Sequence, residues 1–212
     1  MIPAPAPVMV PVPLNEARIL GVIPDYQTVN ETPTVKVAPL TNKEKWWLGL
    51  KESIDPFNVA SAVMAAGFSQ RGDQTPKYGE GWNSYGQRVG AALADFTTQN
   101  LFSAGLLACV LHQDPRYFRK GPGTKIPARI LYSISRLVIA RQDSGREAFN
   151  ASGIFGMGLG IAASNLYYPS ASIRGEVMAA RVETSLFGGV TGNLMSEFWP
   201  DIQKKFFHRK HD

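Results

Sequence analysis

The sequence predicts an all-α protein: a bundle of about five Gly/Ala-rich helices (residues 41–212) behind an extended, proline-rich N-terminal arm (residues 1–40). Three observations predict it. Eight prolines crowd into residues 1–40, where no helical period is found. Downstream, helix-start signals recur ahead of long apolar runs. Those runs are rich in small residues, with Gly pairs at four-residue spacing.

The arm opens Met1-Ile2-Pro3-Ala4-Pro5-Ala6-Pro7, which has neither the basic start nor the helical apolar stretch of an export leader, so none is visible. Within the arm, Arg18-Ile19-Leu20-Gly21-Val22-Ile23-Pro24-Asp25-Tyr26 is too apolar for a plain linker. It is expected to tether the arm to the folded body or to a neighbouring subunit, with room for a short strand.

The first helix opens at Thr41, which stands three residues ahead of Glu44 in a capping-box arrangement. Trp46 and Trp47 follow among lysines, a composition that suits either an interfacial helix or an ordinary amphipathic one. Asp55-Pro56 starts a second helix, whose body Phe57–Phe68 has twelve uncharged residues, too few to span a bilayer. A glycine-punctuated loop leads to a long helix from Ser84 to about His112, stopped by Asp114-Pro115. Pro127 marks the start of the next helix. There Ile126, Ile130, Ile134, Leu137 and Val138 recur at helical spacing, with Arg129 and Arg136 on another face: a basic amphipathic helix. Ala148–Ile173 is a run of twenty-six uncharged residues, enough to exceed the ~20 that cross a bilayer. The last helix begins near Ile173 and reaches Phe198-Trp199-Pro200. A competing β reading rests on the period-two alternation of Gly156–Ile161, but the other apolar segments do not alternate, and Asn-Gly and Asp-Gly turns are missing.

Glycine inside a helix costs about 1 kcal/mol against alanine, so repeated four-residue spacing needs a compensating contact. The pairs Gly86/Gly90, Gly156/Gly160 and Gly188/Gly192 are therefore the expected helix-packing positions.

Composition bounds the chemistry. Only 18% of residues are charged, below the ~25% of an average soluble domain, which implies either a large buried fraction or a surface that meets lipid or protein. Eight basic residues lie between Asp114 and Arg146 against two aspartates, concentrating the excess of positive charge there. Arg116, Arg119, Lys120, Arg129 and Arg136 are the candidates to hold an anion or a lipid headgroup. A capping and loop-pinning role is the competing reading for the dense cluster His112–Lys120. His112 with Asp114 could form an acid–base pair, but nothing else completes such a site. Arg88 and Asp95, seven apart, share a helix face.

No nucleophile, P-loop, zinc or dinucleotide signature is present, so no catalytic or metal-binding residue is assigned and no cofactor is specified. Cys109 is the single cysteine; it sits in an apolar run and reads as a small buried hydrophobe.

Four stretches, Arg18–Tyr26, Tyr85–Ala92, Leu111–Gly121 (LHQDPRYFRKG) and Glu197-Phe198-Trp199-Pro200-Asp201-Ile202, resemble a family of bacterial envelope proteins with no assigned activity. The resemblance spans nearly all of residues 18–210 and implies an envelope location. Members of that family usually begin with an export leader, which this chain does not show. The expected function is that of a non-enzymatic, membrane-associated structural or assembly protein. Membrane lipid is the expected partner, a protein partner or homo-oligomer is possible, and nucleic acid is not favoured. Two alternatives stay open: a lipid-binding carrier or lipid-acting enzyme using His112–Lys120, and a soluble scaffold subunit of a larger complex.

Overall fold

The computed structural model describes residues 8–10, 18–19, 23–24, 27–32, 34–71, 74 and 76–207. The chain is mostly helical, with several small sheets, so the all-α expectation holds only in its coarse form.

Helix α1 (Asn42–Ser53) starts with the full capping box: the Glu44 amide donates to Thr41 Oγ1, and the Glu44 carboxylate accepts from the Thr41 amide. Helix α2 (Pro56–Gln70) has Asp55 as N-cap, accepting from the Phe57 amide, with Pro56 in the first turn. Helix α3 (Trp82–Asn100) runs on into a π-helical segment, Leu101–Leu107, and a last turn, Ala108–Val110. Helices α4 (Ile126–Ser135), α5 (Ala151–Ser164) and α6 (Gly175–Phe207) follow; α6 carries Pro200 inside it.

Short strands fill the gaps. In the arm, β1 (Val8–Val10) pairs in parallel with β5 (Val35–Val37), and β2 (Arg18–Ile19) pairs with β3 (Ile23–Pro24). A tether to the body is β4 (Thr28–Asn30), which runs parallel to β7 (Tyr117–Arg119) and buries Val29. Of the apolar stretch expected to do this, β2 approaches α6, and residues 20–22 and 25–26 lie outside the described residues. A three-stranded sheet joins β6 (Gln113–Asp114), β8 (Ile139–Gln142) and β9 (Glu147–Phe149).

The β8–β9 hairpin departs from the sequence expectation. Its turn is Asp143-Ser144-Gly145, closed by the Gln142 amide donating to Arg146 O at 2.8 Å, with Gly145 at φ +83°. The glycine supplies the left-handed residue of a three-residue hairpin loop, a signal that a search for Asn-Gly and Asp-Gly passes over. The uncharged run Ala148–Ile173 is likewise not one helix. Ala148 and Phe149 belong to β9, Asn150 caps α5, and after Ser164 the chain turns into the short 3₁₀ helix Ser170–Ser172. Among the described residues, no helix is long and apolar enough to cross a membrane.

The helices meet through small side chains. A Cβ on Gly156 would lie 2.5 Å from Ser103 Cα, and one on Gly160 would run into Gln99, so α5 crosses the α3–π junction at glycine distance. On the opposite flank a Cβ on Gly105 would meet the Trp46 ring at 2.8 Å, and one on Gly49 the Asn100 carbonyl at 3.1 Å. The wider π turn lies between these crossings, where Ser103 faces α5 and Gly105 faces α1. The other two predicted pairs differ: at Gly86, Gly90, Gly188 and Gly192 an added Cβ has no neighbour within 4 Å, so among the described residues no helix packs against these positions.

Candidate functional site

The basic segment folds inward. Arg116 is buried, and its guanidinium grips Asp114 from Nε (2.9 Å) and Nη2 (2.6 Å) while Nη2 also donates to the Ala38 carbonyl. Asp114 is therefore committed to Arg116. His112 stands outside at the left-handed φ of +51°, 3.8 Å from Asp143, so the acid–base pairing of His112 with Asp114 is not formed.

Arg129 and Arg119 converge on α6. Glu197 is wholly buried and its carboxylate accepts from Arg129 Nε (2.7 Å), Tyr117 Oη (2.9 Å) and the Lys120 and Gly121 amides (both 3.0 Å). Both guanidinium groups also donate to the Glu197 carbonyl and pair with Asp201. Burial opposes ionisation of Asp201, but the hydrogen bonds from Arg119 and Arg129 outweigh it and hold the carboxyl below its usual range. Burial, opposed by the Ser133 hydroxyl and reinforced by Glu197, drives the Tyr117 phenol well above its usual value. The α6 end is thus pinned to α4 and β7 by an ionic knot centred on Glu197.

In sequence, α4 carries an isoleucine stripe with Arg129 on another face, and the structure turns the arginine inward. Arg129 (4% exposed) and Ser133 face inward, while Ile126 (63%), Ile130, Leu131 (69%), Ile134 and Val138 face out. Large apolar side chains face out elsewhere too. Uncharged α2 buries Ala62 and Ala66 and exposes Val59, Val63, Met64 and Phe68; α5 buries Ser152, Gly156 and Ile161 and exposes Phe155 and Leu159.

Two buried groups, Lys45 and Glu52, and the half-buried Asp95 have partners that are remote in sequence or missing. Lys45 is fully buried on α1, with Nζ 2.7–2.8 Å from both Asp143 oxygens and 3.1 Å from the Ala108 carbonyl. Asp95 accepts from the hydroxyls of Tyr167 (2.6 Å) and Tyr168 (2.5 Å), and Arg181 approaches the same carboxylate. It does not pair with Arg88, which turns to the α2–α3 loop and donates to Gln70, Gln74 O and Gly79 O. Glu52 is buried with no hydrogen bond to its carboxyl among the described residues, and burial alone pushes its pKa up to about 8.

Glu52 borders a cavity of about 860 Å³. The cavity is walled by the α3–π junction, α5 and α6 on one side and by β7, α4 and β8 on the other. Cations on the wall are Lys36, Arg116, Arg119, Lys120, Arg136 and Arg141. Opposing carboxyls are Glu31, Glu52, Asp114 and Glu147. Two aromatic rings organise the basic side. Phe118 lies between Arg141 (4.2 Å from the ring centre) and Arg116 (5.6 Å), and Tyr132 between Arg136 (4.4 Å) and Lys120 (4.8 Å). Arg136 also reaches Glu147 at 2.8 Å, and Arg141 reaches Glu31 at 2.9 Å.

Of the five candidate cations, the cavity wall thus gathers Arg116, Arg119, Lys120 and Arg136, while Arg129 stays behind them in the Glu197 knot. Among the described residues, no cluster of His, Cys, Asp and Glu is placed to hold a metal ion. No family model matches the chain, and neither a curated protein nor a solved structure matches it.

Proposed function

We propose that the protein is a non-enzymatic, membrane-associated helical protein of structural or assembly role, its apolar helix faces set against lipid and its ionic knots holding it together inside. The observation that carries this reading is the orientation of α4. In water a helix bearing Ile126, Ile130 and Ile134 on one stripe would bury that stripe and solvate its arginine. Here Arg129 is inside and the stripe is outside. The surroundings that make this favourable are apolar.

Lipid fits better than a single protein partner because the exposed apolar side chains are spread over α2, α4, α5 and α6. A partner interface would gather them into one bounded patch. Helices of 15 residues (α2) and 14 residues (α5) are about 20 Å long at 1.5 Å per residue, against ~30 Å of hydrocarbon. The expected mode is insertion into one leaflet rather than crossing.

Alkaline carbonate washing of membranes from expressing cells tests this. The protein is expected to stay in the pellet and to need detergent for extraction. Replacing Ile126, Ile130, Ile134 and Val138 together by glutamine should release it. A monodisperse monomer in detergent-free buffer would overturn the membrane reading, and a defined oligomer there would replace it with a scaffold built from copies of this chain.

A further inference from the structure

The cavity is a second feature that the membrane reading does not use. Its volume of about 860 Å³ lies within the range of small-molecule sites. Its wall is neither a water pocket nor a greasy slot, because charged groups and apolar side chains share it.

The chemistry of the wall has a direction. Six cations share the wall with four carboxyls; Arg119 is paired with Asp201 behind the wall, and Glu52 is the buried carboxyl that keeps its proton near neutral pH, so a positive excess remains. The cations are also not used up. Arg116 Nη1 and Arg136 Nε are buried and find no acceptor among the described residues, although both guanidinium groups are held in place by carboxylates and aromatic rings. A buried guanidinium N–H without an acceptor is costly, and a phosphate or carboxylate oxygen satisfies it with a charge-assisted bond. Beside these donors the wall turns apolar through Leu137, Ile154, Met157 and Leu186.

We propose that this cavity binds an anionic amphiphile, whose phosphate or carboxylate takes the unfilled N–H groups of Arg116 and Arg136 while its apolar chain lies along Leu137, Ile154, Met157 and Leu186. The head is fixed by pre-positioned guanidinium groups and the chain by area alone, so the site selects charge and tolerates variation in the tail. The proposal stands apart from membrane association in its chemistry, since charged groups line the cavity whereas the stripes on α2, α4 and α5 are apolar; Leu186 lies at the cavity's exposed rim.

Titration of the protein with dodecyl phosphate below its micelle concentration, followed by calorimetry, tests the site. Saturable binding of one molecule per chain is expected, about tenfold or more tighter than dodecanol or inorganic phosphate alone. Arg136→Gln should weaken dodecyl phosphate by about tenfold and leave dodecanol unchanged, with the circular dichroism spectrum intact. Gly192→Phe projects a ring into the cavity where a Cβ meets nothing, and should abolish binding while carbonate-resistant membrane association persists. Phosphatidylcholine vesicles with and without fluorescent phosphatidic acid separate the sources. Transfer of the label to the protein identifies a membrane lipid as ligand, and binding of the single-chain phosphate alone identifies a free amphiphile. Equal affinity for dodecyl phosphate and dodecanol, or full binding by Gly192→Phe, would place the molecule on the outer apolar surface and overturn the proposal. Absence of binding to the folded parent would mean that the cavity holds only water.

Discussion

Arg129 Nε lies 2.7 Å from Glu197 Oε1, and both side chains are buried. The pair joins residues that are 68 apart in sequence, and three further donors saturate the same carboxylate. Taking both charges out of water is expensive, and good geometry with full hydrogen bonding is what offsets it. Removing one partner leaves the other charge stranded.

Glu197→Ala is therefore expected to cost roughly 3–5 kcal/mol. Arg136→Ala breaks a pair with the exposed Glu147 and should cost about 1 kcal/mol or less. Chemical denaturation of both variants checks the contrast. Comparable losses would mean that the Glu197 knot is not a structural hub.

Glu52 makes stability depend on pH. The unfolded carboxyl titrates near 4.5 and the folded one near 8, so the folded state keeps a proton that the unfolded state loses between them. The contribution is complete below pH 4.5 and is lost as pH rises through about 8, at most roughly 4–5 kcal/mol in all. Glu52→Gln should stabilise the protein progressively over that window. Parallel stability curves for parent and variant between pH 5 and pH 8.5, values set by roughly the same two titrations, would show that Glu52 is solvated.

The glycine crossings divide into two kinds. Gly156→Leu drives a side chain into the Ser103 backbone, with an expected loss of about 1–3 kcal/mol or more. Gly188→Leu enters open space on an exposed face and should be near neutral. Thermal unfolding distinguishes the two; equal melting temperatures would refute close packing at the α5 crossing.

Tyr167 and Tyr168 are raised above the usual phenol range, first by burial and then by the Asp95 carboxylate that both hydroxyls bond. Their un-ionised forms support the fold at neutral pH, and that support is lost as pH rises through their elevated values. Ultraviolet titration should show phenols that ionise only as the protein unfolds. Asp95→Asn should bring them down, and an unchanged titration would disprove the coupling.

Deleting residues 1–17 removes β1, whose described pairing is with β5 of the arm, and should leave the helical content unchanged. Deletion through Thr32 also removes β4 and buried Val29 from β7, and should lower the melting temperature. Identical melting curves would reduce the β4–β7 ladder to a passive contact.

Local chemistry made part of this protein legible from its sequence. The Thr41–Glu44 box, the Asp55-Pro56 start, the Pro127 turn and the Gly156/Gly160 pair are governed by neighbours within four residues, and they lie where the text places them. The hairpin at Gly145 is encoded just as locally, in a three-residue turn rather than an Asn-Gly or Asp-Gly pair. What only the tertiary structure decided is which face of each helix turns inward. Periodicity gives a stripe and its opposite, but not the medium each one meets. For α4 the choice was made by Glu197 and Asp201, which draw Arg129 inside and leave the isoleucines outside. The cavity and the buried Lys45–Asp143 pair have the same origin: their groups lie as many as 98 residues apart and are brought together only when the helices cross.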